Sequence, residues 1–203
     1  MAHHRSVLPY ARRNAPHRVF RYAVYDDQLA AFPAAVFEKR QCRIMWWKEL
    51  LFTALYTGYF PWMPGTAGSL FAMLLYCTGY FLFGEAVVWI NAVAVLLMLY
   101  PGVKLGDAGE RFFAEKDPPQ IVLDEVLGYG IAVLFHPFSW KVAVLAFLIF
   151  RVIDILKPWP TRRLQAMKGG FGVMIDDWVA GACTSVIIVG LKLLLPVFGI
   201  SSL

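Results

Sequence analysis

The residues of this sequence that could do chemistry are acids and bases set into strongly apolar segments. The stretch FRVIDILKPWP, residues 150–160, carries Arg151, Asp154 and Lys157 at steps of three, which places them in a slanted stripe on one helix face. Ionisable groups are costly in hydrocarbon, so those found in membrane segments usually serve a function. The alternative is structural: an Arg151–Asp154 ion pair, with Lys157 reaching to the membrane surface.

Four more acids occur as two adjacent pairs, Asp124 with Glu125 and Asp176 with Asp177, each near the start of an apolar stretch. A single acid in such a position often only complements a helix dipole. Together with Asp154, however, these carboxylates would repel one another if the helices brought them together. The two bases of the stripe leave negative charge uncompensated, and a hard divalent cation held by oxygen ligands would balance it. The sequence therefore predicts a Mg²⁺ site, provided that these segments meet.

The composition indicates an integral membrane protein. Hydrophobic residues make up 59% of the 203-residue chain and charged residues only 16%, whereas a typical soluble domain carries about 25% charged residues. The net charge of +5 comes largely from a basic N-terminal segment and two basic loops, a distribution typical of the positive-inside rule. Because no nucleic-acid-binding motif or aromatic-basic stripe is present, we exclude nucleic acid as a partner.

The apolar stretches predict an all-α fold, a polytopic membrane bundle of about four to five spans. Residues 49–60 are too short to span and predict a re-entrant or interfacial helix. A tight turn is predicted at Gly84 and Glu85, and a helix break at Pro101. The predicted spans are 67–83, 86–100, 121–135, 141–157 and 171–196, with an amphipathic surface helix at 103–116.

The chain is expected to divide into a basic, mostly irregular tail at 1–43 and a membrane-embedded domain at 44–203. The positive-inside rule places the tail and the basic loops in the cytoplasm. This topology puts the first acid pair at the start of a helix leaving the cytoplasmic face, Asp154 at the end of a returning helix, and the second pair near the start of another. All five carboxylates then lie within roughly 5–10 Å of one interface.

Small residues support this convergence. Gly128, Ala180 and Gly181 each lie one helical turn after one of the paired acids. Small residues allow membrane helices to approach closely, although such packing is common in any helical bundle.

The stretch PWMPGTAGSL, residues 61–70, predicts a phosphate-binding element. Its Pro-Gly step opens a helix at the cytoplasmic face, and the free N–H groups of a helix N-terminus suit a phosphate. Thr66 is expected at the N-cap, followed by Gly68 and by Ser69, whose hydroxyl could add a further contact. The alternative is simple helix capping.

Four motifs, in this order, resemble the phosphatidylglycerophosphatase A family of bacteria. The resemblance implies an all-helical, Mg²⁺-dependent lipid phosphatase that converts phosphatidylglycerophosphate to phosphatidylglycerol and phosphate. It implies a multi-pass protein of the bacterial inner membrane, and it covers about residues 45–195, leaving the tail outside. The motifs are PGTAGS at 64–69, DPPQIVLDEVLG at 117–128, FRVIDILKPWP at 150–160 and GGFGVMIDDWVAG at 169–181.

This interpretation gives the candidate residues roles on a phospholipid substrate in the bilayer. Arg151 and Lys157 would stabilise the phosphate oxygens, and Thr66, Gly68 and Ser69 would hold the phosphate or a glycerol hydroxyl. The carboxylates would share metal binding and base catalysis, with a metal-activated water or an aspartate as the nucleophile. The predicted metal ligands are Asp124, Glu125, Asp154, Asp176 and Asp177, and these residues with Arg151 and Lys157 are the predicted catalytic residues.

Two other classes of function remain open at this stage. A cation-coupled transporter or channel could use intramembrane acids, although acids at one face do not line a path across the membrane. A structural membrane protein could use acid–base pairs to hold its helices together. His136, beside Pro137, is predicted to be a turn residue on the opposite face and not a catalytic one.

Overall fold

A computed structural model describes residues 46–157, 164, 167 and 169–194. Within these residues the chain forms helices and turns and no strand, which confirms the predicted all-α class. The tail predicted at 1–43, and most of the basic loop that follows Lys157, lie outside the described residues.

Five long helices build the described part of the chain. Ahead of them, residues 46–52 are helical and Thr57–Tyr59 forms a 3₁₀ turn. The long helices are α1, Pro64–Phe83; α2, Ala86–Phe113; α3, Leu123–Ala132; α4, Trp140–Leu156; and α5, Gly170–Leu194.

Three of these helices, α1, α2 and α5, are long and apolar enough to cross a membrane. Helices α3 and α4 have 10 and 17 residues, fewer than the about 20 that a straight span needs. The predicted count of four to five spans therefore stays a prediction, and α3 and α4 are the helices that decide it.

The structure corrects the predicted break at Pro101. Helix α2 continues through this proline to Phe113, so residues 103–116 do not form a separate surface helix. Proline removes one backbone donor, but membrane helices tolerate the loss where neighbouring helices compensate. Here a Cβ on Gly106 would lie only 2.9 Å from the Cα of Gly170. This close contact holds the second half of α2, beyond the proline, against α5.

Helices α3 and α5 pack backbone against backbone next to the acids. A Cβ on Gly181 would lie 2.2 Å from the carbonyl oxygen of Gly128, and a Cβ on Gly128 would lie 2.8 Å from the carbonyl oxygen of Asp177. Only glycine permits such an approach without a shift of the backbone. The close contact between these helices agrees with the expectation from the small residues.

The segment ahead of α1 is fixed to the loop that leads into α3. The Val122 N–H donates to the carbonyl oxygen of Phe52 at 3.0 Å. Phe52 is buried and packs against the rings of Phe112 and Phe113 on α2. The segment predicted as re-entrant or interfacial, 49–60, is therefore a short helix and a 3₁₀ turn located at the same end of the bundle as the acids.

Candidate active site

Three carboxylates from two helices form a compact cluster. Asp124 and Glu125 lie in the first turn of α3, closer to its start than the sequence indicated because the helix begins at Leu123. Asp177 lies in the second turn of α5. One carboxylate oxygen from each of the three lies within 4.8 Å of the other two. Oxygen ligands at this spacing suit a hard divalent cation.

The other two predicted metal ligands are paired with the predicted phosphate-binding bases. Arg151 Nη1 donates to Asp154 Oδ2 at 2.6 Å, and Lys157 Nζ donates to Asp176 Oδ2 at 2.8 Å. The Arg151 and Asp154 side chains are 13% and 12% exposed, so solvent screens their attraction only weakly. The five predicted ligands thus divide into a cluster of three and two ion pairs.

Lys157 reaches its partner from the end of α4. It caps this helix in the left-handed conformation, with φ at 42°, and its N–H donates to the carbonyl oxygen of Ile153. Its side chain is 28% exposed, and its Nζ lies 2.8 Å from Asp176 Oδ2. Lys157 therefore presents a positive charge next to the acids.

The start of α1 packs closely against Glu125 and Arg151, and a glycine at position 65 makes this approach possible. A Cβ on Gly65 would lie 2.2 Å from Glu125 Oε1 and 3.3 Å from Arg151 Nη1. Arg151 Nη1 also lies 3.4 Å from the hydroxyl oxygen of Ser69, and that hydroxyl donates to the Gly65 carbonyl. The site prediction missed Gly65, although a Pro-Gly step at a helix start was a signal for such a close approach.

Thr66 is not the N-cap residue that the sequence suggested. Helix α1 begins at Pro64, so Met63 occupies the N-cap and Thr66 lies inside the first turn. Proline favours this early start because its fixed φ is suited to the first helical position. The Thr66 hydroxyl therefore does not lie at the helix end, and it is buried.

Several buried polar atoms near this glycine have no hydrogen-bond partner within the described residues. They are Thr66 Oγ1, Glu125 Oε2 and Arg151 Nε. Unpaired buried polar atoms are rare in folded proteins, since each carries a desolvation cost. Their concentration at one place is what a site for a polar ligand would produce. Gly68, by contrast, packs tightly on Val122, where a Cβ would lie 2.7 Å from the Val122 Cβ.

A cavity of about 270 Å³ opens beside the carboxylates. Its wall includes Asp117, Pro118 and Pro119 from the loop before α3, and Ile155 from α4. Asp117 has a φ of 50°, a backbone conformation that is often found at functional sites when the residue is not glycine. The prediction of site residues did not include this loop. The cavity is large enough for a phosphate and a small headgroup and too small for a diacyl lipid.

His136 lies at the other end of the bundle, in the turn between α3 and α4, as predicted. It is buried, with Nε2 3.2 Å from Ser185 Oγ and Nδ1 3.4 Å from Lys192 Nζ. Lys192 follows Asp177 on α5 by fifteen residues, which is roughly 22 Å along a helix. His136 is therefore remote from the carboxylate cluster.

Known proteins resemble this chain over the region that holds the site. Residues 50–192 match the family model of phosphatidylglycerophosphatase A. The chain is 37% identical over 144 residues to a protein named putative phosphatidylinositol-3-phosphatase from Bacteroides thetaiotaomicron, covering 68% of this chain and 89% of the relative. It is 34% identical over 139 residues to phosphatidylglycerophosphatase A of Escherichia coli K12, covering 68% and 78%. The Haemophilus influenzae phosphatidylglycerophosphatase A is 37% identical over 128 residues, covering 62% and 76%. No solved structure matches the chain.

Proposed function

Because the chain belongs to the phosphatidylglycerophosphatase A family, we propose that it hydrolyses the terminal phosphomonoester of phosphatidylglycerophosphate. The products are phosphatidylglycerol and inorganic phosphate. The observation that carries the proposal is the cluster of Asp124, Glu125 and Asp177 beside the two basic side chains of Arg151 and Lys157. A cation site next to bases is the arrangement that a phosphate-monoester hydrolase needs, since its reaction is extremely slow without electrostatic help.

We assign Mg²⁺ to the three clustered carboxylates. Their donor atoms are all oxygens, which fits Mg²⁺ better than Zn²⁺, because zinc sites usually contain histidine or cysteine. The unpartnered Glu125 Oε2 supports this assignment, since a cation would satisfy it. When bound, Mg²⁺ would neutralise phosphate oxygens and activate a water for attack.

Arg151 and Lys157 bind the phosphate in this proposal, and Asp154 and Asp176 orient them. Arg151 uses Nη1 for Asp154, while its buried Nε has no partner within the described residues. A guanidinium offers several donors in a fixed plane, so a phosphate oxygen could occupy the remaining ones. This changes the role first expected for Asp154 and Asp176, from metal ligands to partners of the bases.

The remaining steps use groups that line the cavity. Hydrolysis needs a base for the attacking water and a proton for the glycerol oxygen when its bond to phosphorus breaks. Asp154 and Asp176 line the cavity but lie outside the carboxylate cluster. Asp154 could accept the proton of the attacking water once Arg151 has turned to the phosphate, and the carboxylic acid so formed could give that proton to the glycerol oxygen. Outside the cavity wall, Ser69 Oγ lies 3.4 Å from Arg151 Nη1 and donates its hydrogen to the Gly65 carbonyl, so it could accept a hydrogen bond from a glycerol hydroxyl. The buried Thr66 hydroxyl has no partner within the described residues and could donate to the phosphate.

The cavity faces the cytoplasm of a bacterial inner membrane in this proposal. Lys104, Arg111 and Lys116 lie in or after the second half of α2, towards the end of the bundle that holds the cavity. An excess of lysine and arginine near the ends of membrane helices is typical of the cytoplasmic side. The phospholipid substrate reaches the site from that leaflet.

The name of the Bacteroides thetaiotaomicron relative suggests a second substrate, a phosphatidylinositol 3-phosphate. Both lipids carry a phosphomonoester on a polyol headgroup, so the same cation and bases could act on either. A cation transporter or channel, the alternative considered from the sequence, is disfavoured because the family is a family of enzymes.

The test is phosphate release by the purified protein from each lipid in mixed micelles, with Mg²⁺ or with EDTA. We expect release from phosphatidylglycerophosphate in Mg²⁺, a higher kcat/KM for it than for the inositol lipid, and no release in EDTA. Asp124→Asn, which keeps the shape of the side chain, is the inactive control. Absence of release from phosphatidylglycerophosphate in Mg²⁺ would refute the proposal, and a preference for the inositol lipid would replace its substrate.

A further inference from the structure

The segment ahead of α1 exposes large aromatic side chains. Single exposed apolar residues are ordinary on any protein, but here five large aromatic side chains are exposed within residues 46–62, and a concentration of this kind favours an interaction surface. Trp62 is the most exposed of the group, at 87%. The members of this group, which we call the aromatic surface, are Trp46, Trp47, Tyr56, Phe60 and Trp62, all at least 41% exposed.

The aromatic surface lies beside the cavity. Trp62 precedes Gly65 by three residues, which is at most about 11 Å of chain, and a Cβ on Gly65 would contact both Glu125 and Arg151. On its other side, the segment is bound to the loop that carries the acids, because Phe52 accepts the hydrogen bond of Val122. The aromatic residues are therefore held at a fixed position relative to the carboxylates.

The composition and place of this surface fit the headgroup layer of a bilayer. Tryptophan and tyrosine are enriched where membrane proteins meet the interface, since their rings are apolar and their N–H or O–H groups stay hydrated. Helix α1, a candidate membrane span, begins at Pro64, two residues after Trp62. Lys48 follows Trp46 and Trp47 in the sequence and can extend its ammonium to lipid phosphates. The occupant that this pattern favours is lipid.

We propose that Trp46, Trp47 and Trp62 insert into the headgroup layer and hold the cavity mouth at the depth of a lipid phosphate. The inference rests on the proposed phosphatase function and deepens it. Because the cavity of about 270 Å³ holds a headgroup and not the acyl chains, the chains stay in the bilayer during the reaction. The enzyme therefore acts on a lipid embedded in a bilayer in preference to the same headgroup dissolved in water.

The experiment compares two forms of one substrate. The first is long-chain phosphatidylglycerophosphate in vesicles of phosphatidylglycerol and phosphatidylethanolamine, and the second is a dihexanoyl analogue below its micelle-forming concentration. The full chain is reconstituted or held in detergent accordingly, with Trp46, Trp47 and Trp62 replaced together by alanine or by phenylalanine. Trp89→Ala is the matched control, because Trp89 is 76% exposed but lies near the start of α2, at the other end of α1.

We expect the alanine variant to lose about tenfold or more in kcat/KM on vesicles, equivalent to about 1.4 kcal/mol, and to keep its rate on the dihexanoyl analogue. The phenylalanine variant should recover part of the loss, and Trp89→Ala should match the unmodified chain on both substrates. Equal losses on both substrates, or no loss on vesicles, would overturn the inference. A loss that accompanies a change of oligomeric state in detergent would overturn it as well, since a second copy would then be the occupant.

A measurement without turnover separates this inference from the proposed function. Lipids brominated near the headgroup quench the emission of tryptophans that insert at that depth. Quenching should fall in the phenylalanine variant and persist in a variant with Trp89 replaced by phenylalanine. Unchanged quenching in the first variant overturns the inference whatever the activity, whereas lack of phosphate release from either substrate by the unmodified chain refutes only the proposed function.

Discussion

Asp176 and Asp177 are neighbours on α5 with different partners. Asp177 directs a carboxylate oxygen into the cluster with Asp124 and Glu125, whereas Asp176 accepts a hydrogen bond from Lys157 at 2.8 Å. Successive residues of a helix point about 100° apart, so one helix turn can direct neighbouring carboxylates to two different partners. The two aspartates of IDDW therefore lie in different surroundings, although they are adjacent in the sequence.

The two aspartates should respond differently to loss of charge. Asp177→Asn removes a proposed ligand and should lower kcat by at least about tenfold, a loss of about 1.4 kcal/mol of transition-state stabilisation. Asp176→Asn leaves the cluster intact and frees Lys157, so its main effect should be on KM for the lipid. Steady-state phosphate release at saturating Mg²⁺ measures both. Identical kinetic defects in the two variants would contradict the division of roles.

Thermal unfolding in Mg²⁺ should distinguish the carboxylates that bind the cation from those that do not, without any measurement of phosphate release. A cation that binds the folded state at one hundred times its dissociation constant adds about 2.7 kcal/mol to the free energy of unfolding. We expect Mg²⁺ to raise the unfolding temperature in detergent, and Asp124→Asn, Glu125→Gln and Asp177→Asn each to abolish most of that rise. Asp154→Asn should retain it. If Asp154→Asn behaves like the other three, Asp154 is a ligand as the sequence first suggested.

The sequence predicted which helices meet at the site better than it predicted the partner of each acidic side chain. The apolar stretches and the paired acids identified the helices that meet, and the glycines at 128 and 181 are at the contact of α3 with α5. The Arg151–Asp154 pair, considered from the i, i+3 spacing as the structural alternative, is present. The pair of Lys157 with Asp176 was not predictable, because it depends on the rotations of α4 and α5. The helix break predicted at Pro101 was wrong. Proline usually breaks a helix, whereas the packing of the second half of α2 on α5 is a tertiary contact that the local sequence does not show.

Gly65 should be required for activity more than for folding. In Gly65→Ala the new methyl group would meet Glu125 Oε1 at 2.2 Å, and the end of the Glu125 side chain can move aside. Alanine also favours a helix over glycine by up to about 1 kcal/mol, so the variant should fold and lose phosphate release and the Mg²⁺-induced rise in unfolding temperature. Gly190→Ala is the matched control, because a Cβ at Gly190 meets nothing within 4 Å. Full activity of Gly65→Ala would contradict the assignment of Glu125 to the site.

His136 should make the protein less stable in mild acid. Burial, and then the nearby charge of Lys192, lower the pKa of His136 below its ordinary value of 6.5. As the pH falls below 6.5, the unfolded chain binds a proton that the folded chain excludes, so the free energy of unfolding decreases, by at most about 1.4 kcal/mol per pH unit. His136→Gln should lose less stability than the unmodified chain between pH 7.5 and pH 5.5 in thermal unfolding. Parallel losses in the two proteins would show that His136 does not titrate in this way.

Arg151 is the residue at which phosphate binding and a purely structural ion pair make opposite predictions. If Arg151 binds the phosphate, Arg151→Lys keeps the charge and loses the planar donors, and Arg151→Met loses both. We then expect a graded fall in kcat/KM, with the lysine variant intermediate and the methionine variant lowest. Phosphate-release kinetics on purified, folded variants measure this order.

If the pair with Asp154 is only structural, removal of Arg151 leaves a mostly buried carboxylate without its partner at 2.6 Å. Breaking such a pair costs about 3–5 kcal/mol of stability, and replacing both partners with apolar side chains restores it. The double variant Arg151→Met with Asp154→Leu therefore decides the matter when thermal unfolding and phosphate release are measured together. A double variant that is stable but inactive would show that these charges serve the reaction and not only the fold, and the graded loss in the single Arg151 variants then assigns phosphate binding to Arg151. A double variant that is both stable and active would show that neither residue serves the reaction.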